Sequence, residues 1–501
     1  MTWHAASYLL TQVLLLMIAA AAFFVFWTMP HRGHHWLRSI GVREDLRLAI
    51  GASVVILAGF LFIHILRGVL HDRTLAEADL RLHNTVRLFQ SEMLHKRYSG
   101  VSRAASTLFL LPMVIAVAAV SLAAGRRREA VAVVAAMILE SIVSIALKYT
   151  VHRPRPPDAI ALHLGPSFPS GHTLAAAVIY GFIAYLLMRD EKGRDWLVIP
   201  ASALIVLIAF VPMSRVYLGV HWPYDTIASL TLGLALLAIL VTLYKYPPIE
   251  HRIFENTRSE PWFLTAVMAC TFTAIAAAFV FGYLRELPEA RPALPPLRGS
   301  ISMATLQSFP PQLKKTSEDL IGGAMEPVSF LLVGSPDQML RAFSRVGWQL
   351  ADTPSATGLA RELLAVIEDA PDPNGPATPA YFEAQPQDFT FERPGTEDGS
   401  IRHRHHTRIW RAPLLVDSNR EPLWVATCSY DMGVEFVPKP YLITHRIDPN
   451  VDREREMIAA QLRAAGARDI ALVPVTGPQR GRNAGGDDFY TDGRAHVLVL
   501  P

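Results

Sequence analysis

Cysteine is nearly absent. The 501-residue chain has two, Cys270 in an apolar segment and Cys428 in the polar C-terminal part. That placement argues against a disulfide framework in any compartment. Charge imbalance is also small: 47 basic against 44 acidic residues, a formal net charge of +3. With no basic patch interleaved with aromatics, nucleic acid is not an expected partner. No internal repeat is found. The first apolar segment lacks both a basic leader and an A-x-A cleavage site, so it is expected to stay as a helix. Apolar residues are abundant: 51% of the chain is hydrophobic, and the apolar residues concentrate before residue 285. This is the composition of a polytopic membrane protein with a soluble appendage.

Eight apolar runs have the length of a membrane span: 8–28, 46–66, 107–124, 130–147, 172–189, 196–214, 224–244 and 261–284. Short loops set the orientation. Arg32, Arg38 and Arg43, then Arg126–Arg128, then Arg189, Lys192 and Arg194, then Lys245, Arg252 and Arg258 fall on one side of eight spans. That side is the expected cytoplasm. The loop 67–106 is basic yet lies opposite; its stretch Leu75–Leu94 has an amphipathic pattern expected of an interfacial helix. Residues 286–300 are proline-rich and read as a linker. Beyond it, Ser329–Gly334, Arg408–Val416, Pro422–Tyr430, Tyr441–Ile447 and 495–500 are expected strands. Asp337–Val346 and Val451–Ala465 are expected helices. The expected partition is 1–45, an N-terminal span and loop; 46–244, a membrane core; 245–285, a further span; 286–300, the linker; and 301–501, a soluble α+β domain.

Three polar clusters sit where these runs meet water: Lys148 to Pro156, Ser167 to Thr173, and Ser214 to Asp225. His221 and Asp225 are four apart with Pro223 between them, as suits the first turn of a helix. Asp225 could then accept the Nδ1 proton of His221 and leave Nε2 as a nucleophile. A capping aspartate beside an interfacial histidine fits the same letters. Ser170-Gly171-His172 opens the next run, where backbone N–H groups and the helix dipole favour an anion. An ordinary turn is the bland alternative. Lys148, Arg155 and Arg215 add cations of the kind that hold phosphate, or that snorkel at a membrane edge. Convergence of all three clusters on one face favours a phosphate site.

The pattern K-x6-RP, PSGH, SR-x5-H-x3-D resembles the type 2 phosphatidic acid phosphatase superfamily, and Lys148, Arg155-Pro156, Pro169–His172, Ser214-Arg215, His221 and Asp225 match it without a gap. The resemblance covers residues 46–244 and implies an all-α, six-helix membrane core with two additional spans. It makes His221 the nucleophile, Asp225 its orienting partner and His172 the general acid. Lys148, Arg155, Ser170, Gly171 and Arg215 become the phosphate pocket. It implies a lipid-phosphate substrate within membrane lipid, and no cofactor or metal. With the basic short loops in the cytoplasm, the site and the C-terminal domain are expected to face outward from a bacterial inner membrane.

The C-terminal part resembles the LssY-type C-terminal domain, on Arg404–Trp410, Trp424–Asp431 and Thr444–Asp448. His403, His405, His406, His445, Asp431 and Asp448 could form a binding or metal site there, or be strand residues with solvated faces; an envelope component is the expected partner. Glu140 and His64 are ionisable groups inside apolar runs and are candidates by default. The alternatives to a phosphatase are a phosphotransferase with the same site and a membrane scaffold with a vestigial one.

Overall fold

The computed structural model describes residues 44–157, 165–189, 195–245, 262–285, 297–352, 375–395, 402–416, 420–435 and 444–501, with part of 353–374. The run 8–28 and most of the linker 286–300 lie outside the described residues. Two compact units are present. Among the described residues, one comprises 44–79 together with those from 90 to 293, the other 80–89 with those from 294 to 501.

The first unit is helical. Its elements are α1 Glu44–His71, α2 Arg73–Leu88 (to residue 79), α3 Glu92–Ala104, α4 Thr107–Ala123, α5 Arg127–Val151, α6 Gly171–Met188, α7 Val198–Tyr217, α8 Pro223–Lys245 and α9 Phe263–Leu284. Six helices among the described residues are long and apolar enough to cross a membrane, and α3 with α4 forms a further bent pair at 44°. Ile56, Ile142 and Ile199 stand on outer surfaces, where hydrocarbon rather than water suits them. The amphipathic stretch 75–94 forms two helices, because α2 ends at Leu88 and Ser91 caps α3 by accepting from Leu94 N–H at 3.4 Å.

Helix ends place the polar clusters. The last turn of α5 carries Lys148, and His152 closes the helix in the left-handed region at φ 50. Pro154 and Pro156 follow and prevent its continuation. After α7, Gly219 at φ 70 reverses the chain, and Val220 N–H returns to Arg215 O at 3.2 Å. A side chain would strain that backbone. Pro223 then starts α8, and Asp225 Oδ2 accepts Trp222 N–H at 3.1 Å, half of a capping box. Helix α6 starts at Gly171 and contains a π-turn over Ala176–Tyr180, a feature frequent near functional sites. The lysine end of α5, the start of α6, the end of α7 and the start of α8 thereby gather at one end of the bundle. At the other end Glu129 accepts from Tyr244 Oη at 3.1 Å and Arg189 Nη2 at 3.2 Å, tying α5, α6 and α8.

The second unit is α+β. The strands of its main sheet are β1 Gly299–Ile301, β2 Phe330–Val333, β3 Gln349–Leu350, β4 Phe389–Pro394, β5 Arg404–Val416, β6 Glu421–Glu435, β7 Thr444–Ile447, β8 Arg468–Pro474 and β9 Arg494–Val499. They form a sheet of order β8-β9-β2-β6-β5-β4-β3, with β1 on β5 and β7 on β6. Helices α10 Pro336–Arg345 and α11 Val451–Ala464 cover one face. The period of two is direct: Phe330 and Leu332 pack with Met339, Phe343, Ile458 and Leu462, while Leu331 and Val333 join Leu306 and Trp410 on the other face. Residues 80–89 belong to this unit, where Arg81, 2% exposed, pairs with Glu318 at 3.1 Å. The expected strands and helices match β2, β5, β6, β7, β9, α10 and α11, with residues 441–443 outside the described set. Strands β1, β3, β4 and β8 have no counterpart among the expected strands.

Candidate active site

His221 and Asp225 are both buried, at 1% and 0% exposure. His221 Nδ1 stands 3.6 Å from Asp225 Oδ2, longer than an ideal hydrogen bond. Such contacts often tighten only when substrate is bound. The other ring nitrogen, Nε2, lies 3.4 Å from Arg155 Nη1. The imidazole thus has a carboxylate behind it and a guanidinium in front.

The carboxylate is itself held. Arg153 Nη1 donates to Asp225 Oδ1 at 2.6 Å, while Nη2 of the same arginine donates to Asp79 Oδ2. Asp79 Oδ1 accepts Tyr224 N–H at 2.8 Å, so one aspartate fixes both the arginine and the start of α8. A single cation between two buried carboxylates leaves one negative charge uncompensated. Burial accordingly pushes the Asp79 carboxyl up to about 7. Arg153 also faces the Trp222 ring at 5.5 Å.

Cations line the opposite side. Arg155 Nε donates to Gly165 O at 3.0 Å and Nη1 to Val220 O; Lys148 Nζ donates to Pro166 O at 3.1 Å. Burial lowers the Arg155 pKa, with Asp225 opposing. Arg215 is 1% exposed and donates from Nη1 to Ser102 Oγ; its Nε and Nη2 have no hydrogen-bond partner among the described residues. A buried guanidinium with two idle N–H groups is costly unless an anion accepts them. Lys148 is within electrostatic reach of Arg155, Arg215 and Asp225.

At the start of α6, Ser170 N–H donates to Ser229 Oγ at 2.7 Å, and Ser170 Oγ accepts from Thr173 at 3.1 Å. Ser229 Oγ in turn donates to Asp225 O at 2.6 Å. A Cβ at Gly171 would lie 3.2 Å from Ser144 Oγ of α5, a tight approach. His172 is half-buried at the second residue of the helix.

The eight site residues expected from sequence, His221, Asp225, His172, Lys148, Arg155, Ser170, Gly171 and Arg215, all occupy this end of the bundle. Sequence reasoning missed Asp79, Arg153, Ser102 and Ser229. Arg153 lay in plain view inside the first cluster, but nothing local distinguished it from a snorkelling arginine. Of the two intramembrane candidates, Glu140 is buried and accepts from Ser141 Oγ at 3.0 Å, whereas His64 is exposed beside the Phe60 ring.

His405 and His406 go to separate partners. His405 Nδ1 pairs with Glu454 at 2.9 Å. His406 Nδ1 lies 3.2 Å from Asp431, and its Nε2 meets Ser429 Oγ at 2.8 Å and Arg408 at 3.0 Å. Ser429, His406 and Asp431 are at most 4% exposed. The group stitches β5 to β6, where Ser429 is the register partner of His406. No three His, Cys, Asp or Glu residues among those described gather as a metal would need.

Residues 129–248 match the PAP2 superfamily, and residues 310–495 match the LssY C-terminus. Phosphatidylglycerophosphatase B of Bacillus subtilis is 30% identical over 182 residues, 35% of this chain and 88% of that protein. An undecaprenyl-diphosphatase of Sulfolobus acidocaldarius is 36% identical over 84 residues, 17% of this chain and 36% of that one. The crystal structure of a transmembrane PAP2 type phosphatidylglycerolphosphate phosphatase from Bacillus subtilis aligns with a TM-score of 0.36 at 24% identity, covering 40% of this chain and 98% of that one. The chain therefore belongs to the PAP2 superfamily of phosphatases, as a multi-pass membrane enzyme that continues into an LssY C-terminal region.

Proposed function

We propose that the protein hydrolyses a lipid phosphate, or an isoprenyl diphosphate, on the extracytoplasmic face of a bacterial inner membrane. Catalysis runs by double displacement and needs no metal. His221 Nε2 attacks phosphorus while His172 gives its proton to the departing alkoxide or phosphate oxygen. Water, deprotonated by His172, then attacks the phosphohistidine and releases inorganic phosphate, returning both histidines to their starting states. Asp225 keeps the Nδ1 tautomer and stabilises the imidazolium character that develops on attack. Lys148, Arg155, Arg215, the Ser170 hydroxyl and the N–H group at Gly171 neutralise the transferring group, the role a metal plays in other phosphatases. The observation that carries this reading is Arg215, buried to 1% exposure beside other cations with two N–H groups lacking acceptors. Short-loop arginines and lysines support the sidedness.

The test is phosphate release by the purified protein from phosphatidic acid, phosphatidylglycerol phosphate and a polyprenyl diphosphate. Vanadate, which mimics five-coordinate phosphorus, is expected to inhibit, and EDTA is not. Loss of activity in chelator with recovery on adding a divalent metal refutes the mechanism.

A further inference from the structure

The cations do not stop at Arg215. Ser102, which accepts from Arg215, is followed by Arg103, and Arg103 lies within electrostatic reach of Arg215 on one side and Arg285 on the other. The Arg103 guanidinium packs on the Phe281 ring at 5.3 Å, and that of Arg285 approaches the same ring at 5.9 Å. Neither Arg103 nor Arg215 forms an ion pair among the described residues, and Arg103 Nε is buried without a hydrogen-bond partner. The arrangement is held firmly. Helix α3 crosses α9 at two glycines so closely that a Cβ on Gly282 would lie 2.6 Å from Gly100 Cα. Tyr180 Oη of α6 anchors the end of α3 by donating to Ala104 O at 2.6 Å. Like charges brought together on a rigid frame repel, unless an anion lies among them. Arginine stacked on an aromatic keeps its N–H edge available for phosphate oxygens.

We propose that Arg103 and Arg285, flanking Phe281, form a second anion subsite contiguous with the Arg215 pocket. The preferred substrate is then a lipid whose headgroup carries a second phosphate group. This rests on the phosphatase reading above. One phosphate lies against His221 while the second, linked directly as in a diphosphate or across a glycerol as in a phosphodiester, lies against Arg103. A simple monophosphate such as phosphatidic acid leaves the second subsite without a ligand.

Binding measurements test this without depending on turnover. The full chain in neutral-detergent micelles is titrated calorimetrically with orthophosphate, with methylenediphosphonate, and with the soluble headgroup glycerophosphoglycerophosphate. The wild type is expected to bind at least one two-phosphate probe about tenfold or more tighter than orthophosphate, the factor one charge-assisted hydrogen bond supplies. Arg103→Gln is expected to remove most of that preference, and Arg285→Gln, at an exposed position, to reduce it in the same sense. The probe that loses more identifies the linkage. Equal weakening for all three ligands in both variants, or no change in either, overturns the subsite. Wild-type binding of orthophosphate with no preference sinks the subsite alone. Failure to bind any probe, together with no phosphate release from any lipid, sinks the phosphatase reading as well.

Discussion

Removing Arg153 tests whether its two carboxylates are a working pair. In Arg153→Gln, Asp79 and Asp225, both 0% exposed, lose the cation between them. Stripping one partner from a buried ion pair costs about 3–5 kcal/mol. If about 3 kcal/mol falls on the reactive geometry, turnover drops about 100-fold. The loss arises because Asp225 must take a proton or turn away from His221. Replacing the second carboxylate should return part of it. In Arg153→Gln/Asp79→Asn the repulsion is gone, and the Asn oxygen still accepts Tyr224 N–H. The double variant is expected to be about tenfold more active than Arg153→Gln, with a favourable coupling of about 1–2 kcal/mol. Asp79→Asn alone keeps the Arg153–Asp225 bond and should lose less than about tenfold, the worth of one charge-assisted bond. The assay is vanadate-sensitive phosphate release from a short-chain lipid phosphate, with thermal unfolding in detergent alongside. Strict additivity of the two substitutions refutes the account. pH gives an independent readout. Folding raises Asp79 from 3.8 to about 7, so the native protein keeps a proton that the unfolded chain has shed. That contribution is fully present below the unfolded value and is lost as pH climbs through 7. The melting temperature of Asp79→Asn relative to wild type should therefore improve between pH 4 and 7. A constant difference across that window would show that Asp79 does not titrate there.

Other outcomes follow from the proposed chemistry and topology. His221→Ala should abolish both turnover and an acid-labile phosphoenzyme trapped by rapid quench; retained activity removes histidine as the nucleophile. His172→Ala should slow lipid hydrolysis about 10²–10⁴-fold, yet much less for p-nitrophenyl phosphate, whose leaving group needs little protonation. An equal loss on both substrates assigns His172 a different task. An alkaline phosphatase fusion at Arg298 should be active and a cytoplasm-only fluorescent reporter at the same site dark, and the reverse pair would invert the membrane orientation.

Sequence by itself determined whatever depends on near neighbours. Runs of apolar residues specify spans because backbone groups in hydrocarbon must bond within their own helix. The unbroken apolar run at residues 330–333 specifies a strand buried on both faces. Pro154, Pro156, Gly171, Gly219 and Pro223 fix where helices stop and start, and so bring His172, Arg215 and His221 to one end of the bundle. The described spans from α1 to α9 follow the apolar runs closely for that reason. Tertiary structure decided the partners. Arg153 reaches 74 residues back to Asp79 and 72 forward to Asp225, and Arg215 reaches 113 back to Ser102. The stretch 75–94 read as one amphipathic helix, yet it breaks after Leu88, where Gln90 and Ser91 bond to Tyr217 of α7. Its residue 79 pairs with Arg153, and Arg81 pairs with Glu318. His405 and His406, adjacent in sequence, separate because neighbouring strand positions point to opposite faces. Which cation meets which carboxylate is set by helix packing over long separations, and no local period in the sequence records it.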